Sequence, residues 1–283
     1  MRAEWVLSRA AEPAGLAEFL LEREWRCCFY SSRLPSSLQA SGTASDVHAI
    51  LRGPGGLEGA VLLGAEGTIY PVLGETGPAG AAQVARLISR RDLKPARLIG
   101  LREDVLAMEA ALGIRAAARV EYLLMRRPES APREPPAPRL PGLEARWATE
   151  SDHAQLMPLQ EAYEVEEVLI PIHTYDGRAV AAGLRASLSS QAVLMACSGE
   201  ACLAKAQTNA RGILWDQLGG IYVRPEWRGR GLGAWLCGLL ARRLEEEGRR
   251  TCLFVRVGNA PAIAAYRKAG FQADQAFLIS YVS

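Results

Sequence analysis

The residues best placed to do chemistry are Arg228-Gly229-Arg230-Gly231-Leu232-Gly233, directly after the strand-like run Gly220-Ile221-Tyr222-Val223-Arg224-Pro225. A strand, a glycine-rich turn carrying arginines and then a helix form an anion cradle. Glycines let successive backbone N–H groups turn inward, and the helix N-terminus adds partial positive charge. Leu232, Trp235, Leu236, Leu239, Leu240 and Leu244 recur at helical spacing, with Gly248 as the stop. Two better-known phosphate loops are excluded. Gly233 is followed by Ala234 and Trp235, where a Walker loop needs Lys and Ser or Thr. A dinucleotide fingerprint needs an acid about 20 residues on, where this chain has Cys252-Leu253-Phe254-Val255.

A second constellation follows: Asn259-Ala260-Pro261-Ala262, then Tyr266 and the exit Gly270-Phe271. An Asn opens a helix, a Tyr sits on it, and Gly-Phe leads into terminal strands. With a strand expected at 251–257 between the two constellations, the chain shows an R-x-x-G-x-G loop and an Asn/Tyr helix in fixed order. That pair resembles the GCN5-related N-acetyltransferases, and the resemblance covers residues 143–283, half of the chain. It implies an α+β fold with a mixed, mostly antiparallel sheet flanked by helices, splayed around its fourth strand. It also implies acetyl-CoA as cosubstrate and an amine as acceptor, a small molecule or a peptide.

Residue by residue, the resemblance implies that the N–H groups of Gly229, Arg230, Gly231, Leu232, Gly233 and Ala234 face the coenzyme diphosphate, with the Arg228 and Arg230 side chains nearby. Ile221, Tyr222 and Val223 offer backbone groups to the pantetheine arm, and an N–H near Tyr222 or Val223 stabilises the oxyanion. Asn259 and Ala262 complete the coenzyme site, and Tyr266 corresponds to the proton donor to the departing thiolate. Read from the residues alone, Asn259 is equally a helix cap, and Tyr266 a packed aromatic. For the general base, the strand carries Asp216. Glu161, Glu164, Glu166 and Glu167 lie on or beside the first helix of this half, where Glu164 and Glu167, three apart, share a face. Glu164 joins Asp216 as a base candidate, and Tyr163, Glu167, Asn209 and Lys205 as acceptor-side candidates. The plain alternative for the acids is a solvated helix end; as a cluster they suit a cationic acceptor. The rival reading of the whole chain is an acetyl-CoA-binding sensor, which needs the cradle but neither base nor donor.

Stepping along the chain, residues 128–142 hold six of the sixteen prolines. Proline fixes φ and removes donors, so this stretch is a semi-rigid linker between domains at 1–127 and 143–283. In the second half, strands are expected at 143–149, 192–197, 201–209 and 213–223, and helices from 150 to 168, 176–188 and 262–269. The first half repeats this outline: strand 5–8, helix 14–25, strands 47–52, 59–63 and 68–72, helix 79–90, strand 97–100, helix 103–112 and strand 116–125. It reads as a second, degenerate copy in tandem. At its cradle position, Leu73-Gly74-Glu75-Thr76-Gly77-Pro78 has no arginine and carries an acid that repels phosphate. Further resemblance, to bacterial two-part acetyltransferases, touches Arg97-Leu98-Ile99-Gly100, residues 160–168 and Lys205-Ala206-Gln207-Thr208-Asn209-Ala210; it implies an acceptor site built between the halves.

Composition bounds the rest. The 283 residues are 49% apolar, enough for two cores, and the net charge of +2 favours neither nucleic acid nor membrane as partner. No apolar run reaches the ~20 residues of a membrane helix. Met1-Arg2-Ala3-Glu4-Trp5-Val6 lacks a leader's apolar stretch, so a cytoplasmic location is expected. Six cysteines and three histidines show no metal-ligand spacing, and thiols rather than disulfides are expected. A homodimer is compatible with the sequence.

Overall fold

The computed structural model describes residues 4–89 and 94–282. Residues 1–3, on which the reading of the N-terminus partly rests, Arg90, the expected end of a helix, and Ser283 lie outside the described residues. Contacts divide the chain into two units: residues 1–124, 211–214 and 274–283, and residues 125–210 and 215–273.

The first unit begins with β1 (Glu4–Ser8), α1 (Leu16–Leu21) and α2 (Glu24–Ser31). Sequence periodicity predicts a single helix over 14–25, but the helix breaks at Arg23, whose φ of −138° is not helical. The Arg23 N–H closes a short i→i−3 bond onto Leu20. Its guanidinium takes the Phe19 carbonyl that would continue the helix, and lies 4.0 Å over the Phe19 ring. Then come β2 (Val47–Gly53), β3 (Gly56–Leu63), β4 (Thr68–Val72), a 3₁₀ turn Gly74–Thr76, α3 (Gly77–Ile88), β5 (Arg97–Leu101), α4 (Arg102–Leu112) and β6 (Ala116–Arg126). These match the sequence expectations to within a few residues, because β-branched and aromatic runs alternate with helical apolar stripes. Trp5, Leu51, Leu63, Ile69, Leu73, Val84, Leu98 and Met108 share one core.

In the second unit, β7 (Leu143–Trp147) leads through a 3₁₀ turn Glu150–Asp152 into α5 (His153–Tyr163), which runs on into a π-helical turn, Glu164–Val168. There follow α6 (Gly177–Ser190), β8 (Val193–Ser198), β9 (Ala201–Arg211), β10 (Trp215–Val223), a 3₁₀ turn Pro225–Trp227, α7 (Leu232–Glu246), β11 (Arg250–Arg256) and α8 (Ala260–Lys268), after which β12 (Gln272–Val282) returns to the first unit. The sheet order in this unit is β11-β10-β9-β8-β7. β7, β8 and β9 are antiparallel neighbours, whereas β10 and β11 run parallel. The stretch 143–149 thus ends earlier as a strand than expected, at Trp147, and 212–214 is a loop before β10. Leu156, Leu159, Leu184, Val193, Met195 and Tyr222 pack together, and α7 buries Leu232, Trp235, Leu236, Leu239, Leu240 and Leu244, the residues of its sequence stripe.

The terminal strands expected after Phe271 are one strand, and it lies elsewhere than the division at 1–127, 128–142 and 143–283 assigns it. β12 completes the sheet of the first unit, whose order is β1-β2-β3-β4-β5-β12-β6. It pairs antiparallel with β5 from Phe277↔Leu101 to Tyr281↔Arg97. Phe277, Leu278, Ile279 and Ser280 are all buried in succession, as a central strand covered on both faces requires. The proline-rich stretch has no regular element, yet it is seated on α7. Arg127 donates to the carbonyls of Ala269 (3.1 Å) and Pro132 (2.5 Å) and pairs with Glu245. Glu134 pairs with Arg242 at 2.8 Å. A side chain at Gly238 would meet Glu134 Cβ at 2.8 Å, so glycine is what lets this segment close on the helix. All six cysteines are free and buried, and no metal-binding cluster or membrane-spanning helix occurs among the described residues.

The entry to α5 is fixed by a capping box: Asp152 accepts the Thr149 N–H at 2.8 Å and holds the Arg146 guanidinium at 2.8 and 2.5 Å. Arg146 keeps the Asp152 carboxyl well below the usual carboxylate range. Stability from this group is therefore present above that range and lost as pH falls below it. Asp152→Ala should cost about 1–2 kcal/mol at neutral pH. In urea unfolding the difference from the parent should shrink once the medium is acidic enough to protonate Asp152; an undiminished difference would mean that charge plays no part.

Candidate functional site

The cradle is built by the backbone. β10 ends at Val223, and after the 3₁₀ turn the chain passes Gly229 at φ +73° and Gly231 at φ +85°. Those left-handed conformations favour glycine. Gly231 is the N-cap of α7, and no side chain caps that helix start. The first-turn N–H groups of Leu232, Gly233 and Ala234 therefore stay available to an anion at the positive end of the helix. A Cβ at Gly229 or Gly231 would meet nothing within 4 Å, so the space in front of the loop is open. Arg230 lies 4.8 Å from the Trp227 ring. Arg228 donates to the Val223 carbonyl at 3.0 Å and stacks 5.1 Å over Tyr222.

The strand before the cradle is splayed. β10 pairs with β11 from Trp215↔Arg250 to Leu218↔Leu253, and the ladder stops there. Residues 219–223, including Ile221, Tyr222 and Val223, are thereby released from β11 and present an edge that an extended ligand can pair with. Gly219 and Gly220 mark the departure. Gly220 has φ +55°, and a side chain there would stand 2.9 Å from Lys205 Nζ; one at Gly219 would collide with the Asn209 amide. The two glycines make room for a polar row on β9, formed by Lys205, Gln207 and Asn209 at alternate positions. Sequence reasoning passed over this pair, although adjacent glycines inside a strand are the signal for a bulge or a close approach.

Lys205 is fully buried. Its ammonium donates to the Gly220 carbonyl at 2.8 Å and the Gln207 side chain at 3.2 Å, and sits 4.9 Å from the Tyr163 ring. Burial lowers its pKa to about 7, against the charge of Glu164 and the Cys202 thiol.

The acids are arranged by the π turn. Leu169 N–H reaches back five residues to the Glu164 carbonyl at 2.7 Å, and the extra residue rotates the carboxylates apart. The shared face expected for Glu164 and Glu167 is therefore corrected: each has its own partner. Glu164 is half-buried and accepts from the Gln160 amide at 2.8 Å; burial pushes its carboxyl up, with Gln160 and Lys205 opposing. Glu166 accepts the Tyr222 hydroxyl at 2.5 Å and pairs with Arg228 at 2.7 Å, and these hold its carboxyl below the ordinary range. Glu167 takes the Asn259 amide on both oxygens, at 3.0 and 2.9 Å. Arg256 donates to the Val168 carbonyl at 3.2 Å, on the same turn.

Asn259 also accepts the Ala262 N–H at 3.1 Å, so it caps α8 as well as meeting Glu167. Tyr266 lies one and a half turns along α8. Burial pushes its hydroxyl well above the ordinary tyrosine range, aided by Cys237, Tyr163 and Glu167, which are close enough to bear on its charge. The geometry thus gathers Tyr163, Glu164, Glu167, Asn259 and Tyr266. It does not gather Asp216. That carboxylate is fully buried near the start of β10 and ion-paired with Arg249 at 2.7 Å, on the ladder that precedes the splay. This carboxylate is paired with a guanidinium and lies seven residues before Val223.

Because the folded Lys205 pKa of about 7 lies below the ordinary lysine value, the unfolded chain binds the extra proton between the two. Stability then rises with pH across that window, by at most about 1.4 kcal/mol per pH unit from this group. Lys205→Met should flatten the rise in a series of denaturant titrations. An unchanged slope would show that the amine is not buried in the folded protein.

Residues 207–279 match the family model of FR47-like proteins. No curated protein matches the chain. Among solved structures, the chain is similar to a GNAT-family acetyltransferase from Colwellia psychrerythraea, at 12% identity with 100% of each chain covered and a TM-score of 0.54. It is similar to a tandem GNAT protein from the clavulanic acid biosynthesis pathway, at 14% identity over 99% of this chain and 98% of that one, with a TM-score of 0.54. It is also similar to a GCN5-related N-acetyltransferase from Sphaerobacter thermophilus, at 17% identity over 98% and 94%, with a TM-score of 0.55. At these identities the likeness is one of fold. The chain has the GNAT fold in tandem, the α+β architecture that the two sequence signatures implied.

Proposed function

We propose that this chain is an acetyl-CoA-dependent N-acetyltransferase whose active site is carried by residues 143–283, with a first half that has lost the coenzyme cradle. One observation carries the reading: an uncapped helix start behind Gly229 and Gly231 adjoins a strand edge, residues 219–223, that β11 has released. A coenzyme with a diphosphate at one end and an extended amide arm at the other fits that pair of features. The coenzyme supplies an acetyl thioester; the remaining roles belong to the chain.

In this reading the N–H groups of Gly229, Arg230, Gly231, Leu232, Gly233 and Ala234 hold the diphosphate, with Arg228 and Arg230 adding charge. Ile221 and Val223 pair with the arm, and an N–H near Tyr222 or Val223 polarises the thioester carbonyl. Glu164 is the base: burial raises its affinity for a proton towards that of the amine's surroundings, which suits it to take one. Tyr266 gives a proton to the thiolate, a role that its raised pKa supports by keeping the hydroxyl protonated. Tyr163, Glu167 and Asn209 border the acceptor. An amine acceptor, small molecule or peptide, is consistent with this acidic border. The locked state of Asp216 favours a second reading, a coenzyme sensor without turnover, since it removes one of two candidate bases.

Calorimetric titration with acetyl-CoA, followed by thiol release on an amine panel, separates the two. Acceptor-dependent release supports the transferase; binding without release on any amine supports the sensor; no binding refutes the cradle. Tyr266→Phe should lower turnover by about two orders of magnitude while coenzyme affinity holds. Arg230→Glu should weaken coenzyme binding about tenfold or more, through loss of a charge-assisted contact and gain of repulsion. Glu166 competes with the diphosphate for Arg228, so Glu166→Gln should tighten coenzyme binding by about two- to fivefold, the scale of an exposed ion pair. Weaker binding in that variant would mean that Glu166 positions Arg228 rather than occupying it.

A further inference from the structure

The first unit has a splay of its own, and it opens onto a cavity. β4 and β5 run parallel and pair only at Thr68↔Arg97 and Ile69↔Leu98. Two residues later β4 carries Pro71, which has no N–H to give a neighbouring strand. Beyond this point lies a cavity of about 480 Å³, in the size range of small-molecule sites. Its apolar wall includes Phe19, Leu57, Pro71 and Leu101. No part of the coenzyme cradle proposed above belongs to it.

The polar wall has an uneven charge. Four carboxylates line it, Glu58, Glu75, Glu103 and Asp104, against two arginines, Arg23 and Arg26. Arg23 is already engaged: it donates to the Phe19 carbonyl and to Glu22 (3.0 Å) and stacks on the Phe19 ring. Arg26 lies 5.0 Å over the Trp25 ring. The wall is therefore acidic on balance, and Glu75 stands at the turn where the second unit places its arginines. A diphosphate would be repelled here.

Asp104 is the decisive residue. Its side chain is buried to 7% exposure on α4, and Oδ2 accepts the Leu73 N–H at 3.3 Å. Among the described residues neither oxygen has an ion-pair partner. Burial pushes this carboxyl up to about 7; Glu103 adds to the rise, while the Leu73 N–H and the Arg26 charge oppose it. A carboxylate taken out of water without a cation is costly, and here it stands beside an apolar wall. What the site lacks is one positive charge attached to an apolar body.

We propose that the cavity between β4, β5 and α4 of the first unit binds a small organic amine, whose ammonium pairs with Asp104 and whose apolar portion lies against Phe19, Leu57 and Pro71. The exposed carboxylates Glu103 and Glu75 attract the cation to the mouth, and Asp104 holds it. Pairing favours the ionised carboxylate, so binding near neutral pH releases the Asp104 proton to the buffer. Affinity falls as pH drops through the free-state Asp104 value, because protons and the ammonium compete for one group.

The test is calorimetric titration of the full chain with phenethylamine, with phenylacetate and 2-phenylethanol as probes of the same shape and different charge. The amine is expected to bind and the other two to bind at least about tenfold more weakly, as one lost charge pair implies. Between about pH 8 and about pH 6 the amine affinity should fall several-fold, following the ionised fraction of one carboxyl, while the protons released on binding rise towards one as the protonated fraction grows. Asp104→Asn should remove most of the binding and the pH dependence together. Glu103→Gln, an exposed change that spares the fold, should weaken binding by about twofold. Should Asp104→Asn fail to fold by circular dichroism, the pH profile and Glu103→Gln decide. Preference for phenylacetate, no binding of the amine, or amine binding that survives Asp104→Asn intact would each overturn the proposal.

Discussion

The second unit depends on a ladder that stops early. Parallel strands β10 and β11 share hydrogen bonds for four residues and then part. A parted strand leaves backbone donors and acceptors in need of partners. On one side Lys205 answers for the Gly220 carbonyl, at the cost of burying an amine. On the other side the edge stands open, and the cradle follows it directly in the chain. The glycine pair, the buried lysine and the uncapped helix are thus linked consequences of a single separation between two strands. Each would be a defect in a sheet whose ladder ran to the end.

The π turn after α5 is the second organising element. Five residues carry three acids, and the extra residue in the turn sends Glu164, Glu166 and Glu167 to three different partners: the Gln160 amide, the Tyr222–Arg228 pair and the Asn259 amide. Those partners belong to α5, β10, the cradle loop and α8. A single turn therefore ties together α5, β10, the cradle loop and the start of α8. Its exposed faces cost little to rearrange, since surface ion pairs are weak, whereas the bidentate Asn259 contact is partly buried.

What was legible in the sequence follows from locality. Gly229 and Gly231 announce themselves because left-handed backbone favours one residue type. Asn259 and Tyr266 share a helix, so their spacing fixes their relation. α7 is read from its leucine stripe to within a turn. The burial and ion pair of Asp216 were not legible, because alternation along a strand tells which face a residue occupies, not how far it lies from a splay point or which guanidinium waits there. The separate partners of Glu164 and Glu167 were not legible, because three-residue spacing means one face only in an α-helix, and π turns have no firm residue signature. The break between α1 and α2 turns on an arginine bonding a carbonyl, a competition that periodicity cannot register. β12 was assigned to its neighbours in sequence, while its partner β5 lies more than a hundred residues earlier.

That last strand has a consequence for biosynthesis. The central slot of the first sheet, between β5 and β6, is filled by Phe277, Leu278, Ile279 and Ser280. When β6 leaves the ribosome, roughly 150 residues remain to be made before the slot can be filled, about 10–30 seconds at ordinary rates of synthesis. During that interval the nascent first unit holds an unfilled seam in its sheet, a template for whatever strand arrives first. The intervening residues, which form the second unit, are made in the meantime. The first unit to be translated is therefore the last to finish folding, and a ribosome that stalls before codon 277 leaves behind a chain whose exposed seam marks it for chaperones or proteases.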